Sequence, residues 1–324
     1  MKDLKELIKD KFDYDVTALP VYVDEQSTEV FEDLIFSSGL TSRINVEENV
    51  KGSKTIKLLN ADLAIQDAST GCSLADDGSI VFNGTNISVK RIGVQQALCN
   101  EDLIDTWGQI MLAAGASRQD RDLPMQDVII SYLIKKIKKK DQDLMFLGDT
   151  ASVNPDLVHY DGFVKLWDAD TNLISATSLE TAITDSNAFA IAKTVYDAIP
   201  DVLFDNGADV EIITGRTEAQ AILNNIYADK DYASSIEVSR EGSELSFVLP
   251  TTNVRVRSYP QLTGLGKMYA VPYSYMFYGT DLSSDIDGLS VKYLEEQEQL
   301  RMRALWRSGV QYVYPEYFVK LVLA

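Results

Sequence analysis

The sequence predicts an α+β fold, and three observations lead to it. Residues 54–94 contain short runs of β-forming side chains, residues 125–148 have the pattern of one long helix, and residues 178–278 mix helical and strand patterns. Hydrophobic residues make up 45% of the 324 positions, which is enough to bury the core of one large domain or of two lobes. We therefore expect a folded protein.

Composition argues against several classes of protein. The sequence has no secretory signal pattern and no apolar run of about 18 residues, the length needed to span a membrane. The two cysteines, Cys72 and Cys99, are too few for a disulfide scaffold or a structural zinc site. The formal net charge of -19 weighs against a grip on nucleic acid, which needs clustered Lys and Arg. We expect a soluble protein made in a cytoplasm, without a membrane partner.

The first two segments are extended. Residues 1–45 mix charge with isolated apolar positions, so we expect an arm with one short helix at 30–39. The next segment has β-like runs at 55–59, 80–82 and 87–92. Two residue pairs that tolerate the positive φ of tight turns are expected to supply its turns: Asp77-Gly78 and Asn83-Gly84. Such an excursion has little core of its own.

The pattern then turns helical. Residues 100–107 resemble an acidic helix start, and a second helix is predicted from Met125, just after Pro124, to about Gly148. At 1.5 Å per residue it would be roughly 36 Å long. Its predicted apolar stripe is formed by Met125, Val128, Ile129, Leu133, Ile137 and Leu144. Five lysines occupy the remaining circumference: Lys135, Lys136, Lys138, Lys139 and Lys140.

The middle segment, at about 178–278, mixes both element types. A helix is predicted at 189–199, and a strand, a turn at Gly215 and a second helix are predicted within 210–223. Residues 254–257 alternate as a half-buried strand does. The turn behind this strand is marked by Pro260, Gly264 and Gly266.

The C-terminal pattern predicts a β-hairpin. Strands are expected at 289–294 and 300–307 on either side of a polar run. Alternation places Arg301, Arg303 and Arg307 on one face and Met302, Ala304 and Trp306 on the other. We expect Gly309 to break the strand and another strand to begin at Val310.

Motifs for catalysis or cofactor binding are incomplete. Gly52-Ser53-Lys54-Thr55 lacks the first glycine and the order of a phosphate-binding loop, and Gly264-Leu265-Gly266 is half of a dinucleotide fingerprint. His159 is the single histidine, which excludes two-His metal sites. Residues 168–172 begin like a calcium loop but have Leu173 where glycine is required, so we expect a capped turn. We predict no enzyme activity and no cofactor.

A family resemblance comes from the order of several motifs near the C-terminus. Residues 268–272, the segment Gly279-Thr280-Asp281-Leu282, the acidic turn at 285–287 and the Arg-rich hairpin ending at Gln311 resemble major capsid proteins of tailed bacteriophages, whose fold is that of phage Hong Kong 97. Segments 71–73, 89–92, 101–103 and 148–162 are similar to capsid subunits of gut phages, including the crAss-like group.

The resemblance implies a division of the chain. It predicts an N-terminal arm (1–45), an extended E-loop (46–95), a peripheral domain with a spine helix (96–177), an axial domain (178–280) and the peripheral domain's C-terminal hairpin (281–324). The implied function is self-assembly into hexamers and pentamers of an icosahedral shell around a double-stranded DNA genome. The shell would be built in a bacterial cytoplasm and become part of the virion.

The resemblance also implies partners: other copies of the chain, portal and scaffolding proteins, decoration proteins, and packaged DNA by non-specific proximity. As inter-subunit contacts we single out two E-loop acids and three hairpin arginines: Asp76, Asp77, Arg301, Arg303 and Arg307. The lysine cluster at 135–140 is either a solvated helix face or a surface that faces DNA in the lumen. An encapsulin-like shell, another virion protein and a soluble α/β enzyme using dispersed carboxylates stay open as alternatives.

Overall fold

The computed structural model describes residues 39–63, 78–99, 125–205, 207, 209–228, 236, 238–241, 244–281, 289–294 and 299–324. Several expectations fall outside these residues: nearly all of the arm with its helix at 30–39, the turn at Asp77, the helix start at 100–107, and the polar run between the two C-terminal strands. Asp76, Asp77 and Cys72 also lie outside the described residues.

The described chain is a mixture of helices and strands, as predicted. The helices are α1 (Met125–Leu147), α2 (Phe163–Ala169), α3 (Ala188–Asp197), α4 (Asp201–Asp205) and α5 (Arg216–Ala228). The strands are β1 (Asn45–Glu47), β2 (Ser53–Leu63), β3 (Gly78–Ser88), β4 (Lys90–Cys99), β5 (Ile174–Ser178), β6 (Val210–Thr214), β7 (Val238–Glu241), β8 (Glu244–Val248), β9 (Arg255–Ser258), β10 (Met268–Pro272), β11 (Met276–Gly279), β12 (Leu289–Leu294), β13 (Gln299–Tyr312) and β14 (Val319–Leu323).

These strands form three sheets within the described residues. The first has the order β1-β11-β13-β12, and β4 also pairs with β13. The second has seven strands in the order β5-β14-β10-β6-β9-β8-β7. The third is a ribbon of β2 and β3 alone, which we call the β2–β3 ribbon. The strand β14 lies inside the seven-stranded sheet, parallel to β5 and antiparallel to β10.

The long helix is confirmed. α1 has 23 residues, which corresponds to about 34 Å. Ile137, Leu144 and Met145 are buried against the first sheet and α2, while Lys135, Lys136, Lys139 and Lys140 are exposed and Lys138 is half-buried. The helix therefore has one packed face and one basic face, as its sequence predicted.

The strand β13 corrects one expectation. It runs without a break from Gln299 to Tyr312, so Gly309 does not end it. Instead, Gly309 lies opposite Gly279 of β11, and a side chain at Gly309 would collide with the backbone of Ser88 and Val89. Glycine is needed here because two backbones approach closely, whereas its weak β-propensity alone suggested a break.

A second correction concerns the pair Asn83-Gly84. It was predicted to form a turn, but both residues lie inside β3, opposite Leu58 and Lys57 of β2. An uninterrupted partner strand supplies ladder hydrogen bonds along the whole segment, and these outweigh the local turn preference of the pair.

The seven-stranded sheet has its own core. α3 and α5 pack on it through Ile191, Val195, Ile222 and Ile226, all buried. The unit β6, Gly215 and α5 confirms the predicted strand, turn and helix. Another hydrophobic cluster joins α1 and α2 to the first sheet. No helix in the described part of the chain is both long enough and apolar enough to cross a membrane.

The strand β9 corrects a third expectation. Half-buried alternation was predicted there, but Arg257 is as buried as its apolar neighbour Val256, and only Arg255 is exposed. The face of β9 that carries both arginines is open to solvent at Arg255 and covered at Arg257, and a buried arginine needs a partner for its charge.

Candidate assembly surface and its supporting network

The β2–β3 ribbon exposes large apolar side chains. Leu59 and Phe82 lie directly opposite each other in the two strands and are 57% and 76% exposed. Val81, on the other face of the ribbon, is 46% exposed. Among the ribbon side chains that the structure describes, the buried ones lie towards its base, where Ile56 and Ile87 pack with Val313. The sequence predicted the apolar runs but not that Leu59 and Phe82 form one exposed pair. The predicted turn at Asn83 would end the strand there, so the pairing of these two residues was not predicted.

Side chains of β13 and of the residues just after it hold the ribbon and the chain that leads into it. Gln311 Nε2 donates to the carbonyl of Asn86 at 3.1 Å, Tyr314 Oη donates to the carbonyl of Leu59 at 3.2 Å, and Arg307 donates to the carbonyl of Lys51. Since all three acceptors are backbone oxygens, the attachment does not depend on the side chains of Asn86, Leu59 and Lys51.

Tyr314 is placed by an unusual backbone conformation. Its φ of 55° and ψ of 65° are left-handed, which costs a non-glycine residue about 1 kcal/mol or more. Its ring lies 5.2 Å from that of Tyr275 and 5.9 Å from that of Tyr317, centroid to centroid. These aromatic contacts offset the backbone cost and direct the hydroxyl towards the ribbon.

The three predicted hairpin arginines do share one face of β13. Met302, Ala304 and Trp306, on the opposite face, are buried. Arg303 is exposed and Arg301 is half-buried. Arg307 forms an ion pair within the chain, 3.3 Å from a carboxylate oxygen of Asp281. Their roles between subunits stay predictions, as do those of Asp76 and Asp77, which are outside the described residues.

The segment that carried the family resemblance ties several elements together. Thr280 accepts a hydrogen bond from the Val50 amide at 3.1 Å and donates its own amide to the carbonyl of Glu47 at 2.9 Å. These bonds continue the parallel pairing of β1 with β11. Gly279 packs under Ile87 and Val89, where a side chain would not fit. The segment therefore joins the chain before the ribbon to β13.

A buried carboxylate joins α1 to the first sheet. Asp141 accepts hydrogen bonds from Trp306 Nε1 and Tyr278 Oη, each at 3.0 Å. Tyr160 and Ser308 extend the cluster through a 2.7 Å contact between their hydroxyl groups. Burial raises the pKa of the Asp141 carboxyl, and hydrogen bonds from Trp306, Tyr278 and Ser308 only partly offset the rise. The cluster fixes the position of the helix against β11 and β13.

This raised pKa predicts a pH dependence. Below the ordinary aspartate value of about 4, Asp141 is protonated in both states, and its full contribution to stability is present. As the pH rises from that value to the raised pKa of the folded state, this contribution is lost, by about 1.4 kcal/mol for each pH unit. Asp141→Asn cannot ionise, so the difference in unfolding free energy between this variant and wild type should shift in the variant's favour as pH rises. Urea unfolding at a series of pH values measures it.

The companion variant Tyr278→Phe separates this effect from simple loss of packing. It removes a donor that favours the ionised form, so it should raise the pKa of Asp141 further and extend the loss of stability to higher pH. If the unfolding free energies of wild type and Asp141→Asn change with pH in parallel, the raised pKa of Asp141 is contradicted.

A second buried network lies in the seven-stranded sheet. Arg257 donates two hydrogen bonds to Glu211, from Nε at 2.6 Å and from Nη2 at 3.0 Å, and Tyr273 donates a third at 3.0 Å. Arg43, near the start of the described residues, lies within 4.0 Å of Glu211 and 3.9 Å of Glu244. The network thus connects the segment that precedes β1 to this sheet. The sequence offered no signal for it, because Glu211 and Arg257 are far apart along the chain.

The remaining candidate motifs have structural roles. The amides of Gly264 and Gly266 both donate to Glu218 Oε1 at 3.1 Å, so the glycine pair is a turn held by a carboxylate, as expected. Asp170 caps its own turn by accepting from the Asn172 amide at 2.8 Å, and His159 is exposed. Among the described residues, no group of three or more His, Cys, Asp or Glu side chains could hold a metal ion.

Comparison with known proteins identifies the fold through structure alone. No family model matches the sequence, and no curated protein matches it. A chain in the procapsid of satellite phage P4 with its size determination (Sid) protein is 13% identical, with a TM-score of 0.56 over 90% of this chain and 97% of that one.

Two further solved structures have a similar fold. A chain from the capsid of an empty GTA particle is 11% identical, with a TM-score of 0.56 over 89% of this chain and 90% of that one. A chain from the capsid of Myoviridae phage XM1 is 14% identical, with a TM-score of 0.50 over 88% and 91%. The fold predicted from the resemblance is confirmed: the chain has the Hong Kong 97-like α+β fold of phage capsid structures.

Proposed function

We propose that this chain is the major capsid protein of a tailed bacteriophage, a subunit that assembles into hexamers and pentamers of an icosahedral shell around double-stranded DNA. The observation that carries the proposal is the β2–β3 ribbon, whose apolar pair Leu59 and Phe82 is exposed on a fold that recurs in phage capsids.

The physical argument concerns missing burial. A two-stranded ribbon is marginally stable by itself, and the buried side chains described in this ribbon lie towards its base. A neighbouring subunit can cover Leu59 and Phe82, and each buried side chain of this kind contributes about 1.5–3 kcal/mol. A closed shell engages each subunit at several interfaces, so modest contacts add up through multivalency.

The proposal extends to partners and location. Other copies of the chain are the principal partners, while portal, scaffolding and decoration proteins act during and after assembly. The subunit belongs to the virion. In this proposal the β2–β3 ribbon is the E-loop, α1 is the spine helix, and the lobe around the seven-stranded sheet corresponds to the axial domain.

Electron microscopy tests the proposal directly. The purified protein, alone and with a candidate scaffolding protein, is examined by negative stain and by sedimentation. Shells or capsomer rings support it. A monomer that persists under both conditions contradicts it, and shells that hold a protein cargo in place of DNA favour the encapsulin-like alternative.

The ribbon itself is tested by Leu59→Ser with Phe82→Ser. We expect the double variant to raise the protein concentration needed for assembly by at least about tenfold, because the covered apolar area is lost. Its monomer should keep its unfolding free energy within about 0.5 kcal/mol, as both side chains are exposed. Val153→Ser, at a fully exposed loop position, is the matched control and should assemble as wild type does. If both variants assemble at the same protein concentration, the ribbon is not part of the interface.

A further inference from the structure

We infer that the exposed face of α1 between Tyr132 and Lys140 binds the phosphate backbone of DNA without sequence preference. Four of its lysines are exposed, at positions 135, 136, 139 and 140. The opposite face of the same helix turns carries Ile137, Asp141 and Leu144, all buried. The orientation of the basic face is therefore fixed by core packing.

The spacing of the side chains suits a polyanion. Tyr132, Lys136 and Lys140 follow one another at four-residue intervals, and Lys135 and Lys139 form the neighbouring row. From Lys135 to Lys140 the helix rises by roughly 7.5 Å. Phosphates along one DNA strand are about 3.4 Å apart along the axis, so two rows of lysines match two or three successive phosphates.

Only part of the charge on this face is neutralised by ion pairs among the described residues. Lys140 forms an exposed ion pair with Asp156, and Lys136 lies 5.4 Å from the centre of the Tyr132 ring. Lys135 and Lys139 have no ion pair among the described residues. The sequence from 132 to 140 contains no acidic residue, although the protein as a whole has a net charge of -19. An ordinary solvated helix would intersperse acids with these lysines.

The identity of the partner rests on the proposed function, since a shell around DNA brings the duplex within reach of its lining. Each lysine that neutralises a phosphate releases about 0.9 counterion, so four lysines give a salt dependence of at most about -3.6 in the slope of log K against log salt. Elsewhere the acidic surface repels the duplex. Contact of this kind holds DNA weakly and lets it slide.

A charge-matched pair of variants tests the inference. Lys135→Gln, Lys136→Gln and Lys139→Gln are combined in one protein, and Lys51→Gln, Lys90→Gln and Lys193→Gln in a control that removes the same charge from exposed lysines on other elements. Binding of a fluorescent duplex of about 30 base pairs, in two unrelated sequences, is followed by anisotropy between about 25 and 150 mM NaCl. Assembly of each protein is followed by electron microscopy.

For the α1 variant we expect affinity at the lowest salt to fall by at least about tenfold, and the salt slope to become shallower by about 2.7. The control should bind as wild type does. Equal weakening of both variants, or no binding of wild type at the lowest salt, overturns the inference even where shells form. Selective loss of binding in the α1 variant supports the inference even if no shells form, and in that case only the proposed function fails.

Discussion

Replacing Arg257 with leucine is expected to lower the free energy of unfolding by about 3–5 kcal/mol. Arg257 is only 6% exposed, and it is the bidentate partner of Glu211, which is 5% exposed. Without the guanidinium, the Glu211 carboxylate stays buried with one hydrogen bond, from Tyr273, and its nearest charges are Arg43 and Arg255, each 4.0 Å away, so its desolvation is offset much less. Urea unfolding monitored by tryptophan fluorescence measures the change.

The neighbouring arginine supplies the control. Arg255 points from the same strand to the same carboxylate at 4.0 Å, but its side chain is 44% exposed. Arg255→Leu should therefore cost less than about 1 kcal/mol. Combining Arg257→Leu with Glu211→Leu should recover part of the loss, because no buried charge is left without its partner. If Arg255→Leu and Arg257→Leu cost the same, the pair does not stabilise the sheet.

Alanine at position 309 is expected to destabilise the protein by about 3 kcal/mol, near the upper end of the usual cost of overpacking. The new Cβ would overlap the Ser88 carbonyl and lie 3.0 Å from Val89 Cα. Both obstacles are backbone atoms, so no side-chain rotation relieves them and β13 must move away from the junction of β3 and β4.

Gly52→Ala is the matched control for this substitution, because a Cβ there meets no atom within 4 Å. It should leave the unfolding free energy unchanged or raise it slightly, since alanine restricts the unfolded chain. A cost at Gly309 no larger than that at Gly52 would mean that the two backbones can separate freely. The assembled fraction of Gly309→Ala should fall as well, because the ribbon begins at this junction.

Elements with a strong local pattern could be predicted from the sequence. The helix α1 has an apolar stripe at helical spacing after a proline, and β6 with α5 has a strand, a glycine and a helical run. The alternation along β13 correctly separated Arg301 and Arg303 from the buried Met302. In each case the periodicity of the side chains matches the period of the backbone, so local information is sufficient.

The errors arose where a distant segment decides the conformation. Gly84 lies in a strand because β2 pairs with it, and Gly309 stays in β13 because the backbone at Ser88 passes close by. Arg257 is buried because Glu211, on the adjacent strand β6, accepts its hydrogen bonds. A single sequence contains these residues but not their proximity.

The position of β14 has a consequence for biosynthesis. β5 pairs with β14 and, within the described residues, with no other strand, yet β14 is translated long after β5. At the usual rates of synthesis, this interval lasts on the order of ten seconds. The edge of the seven-stranded sheet therefore cannot close while the chain between the two strands is still being made. β5 should therefore stay without its strand partner until β14 has left the ribosome, and this edge of the sheet is completed late in synthesis.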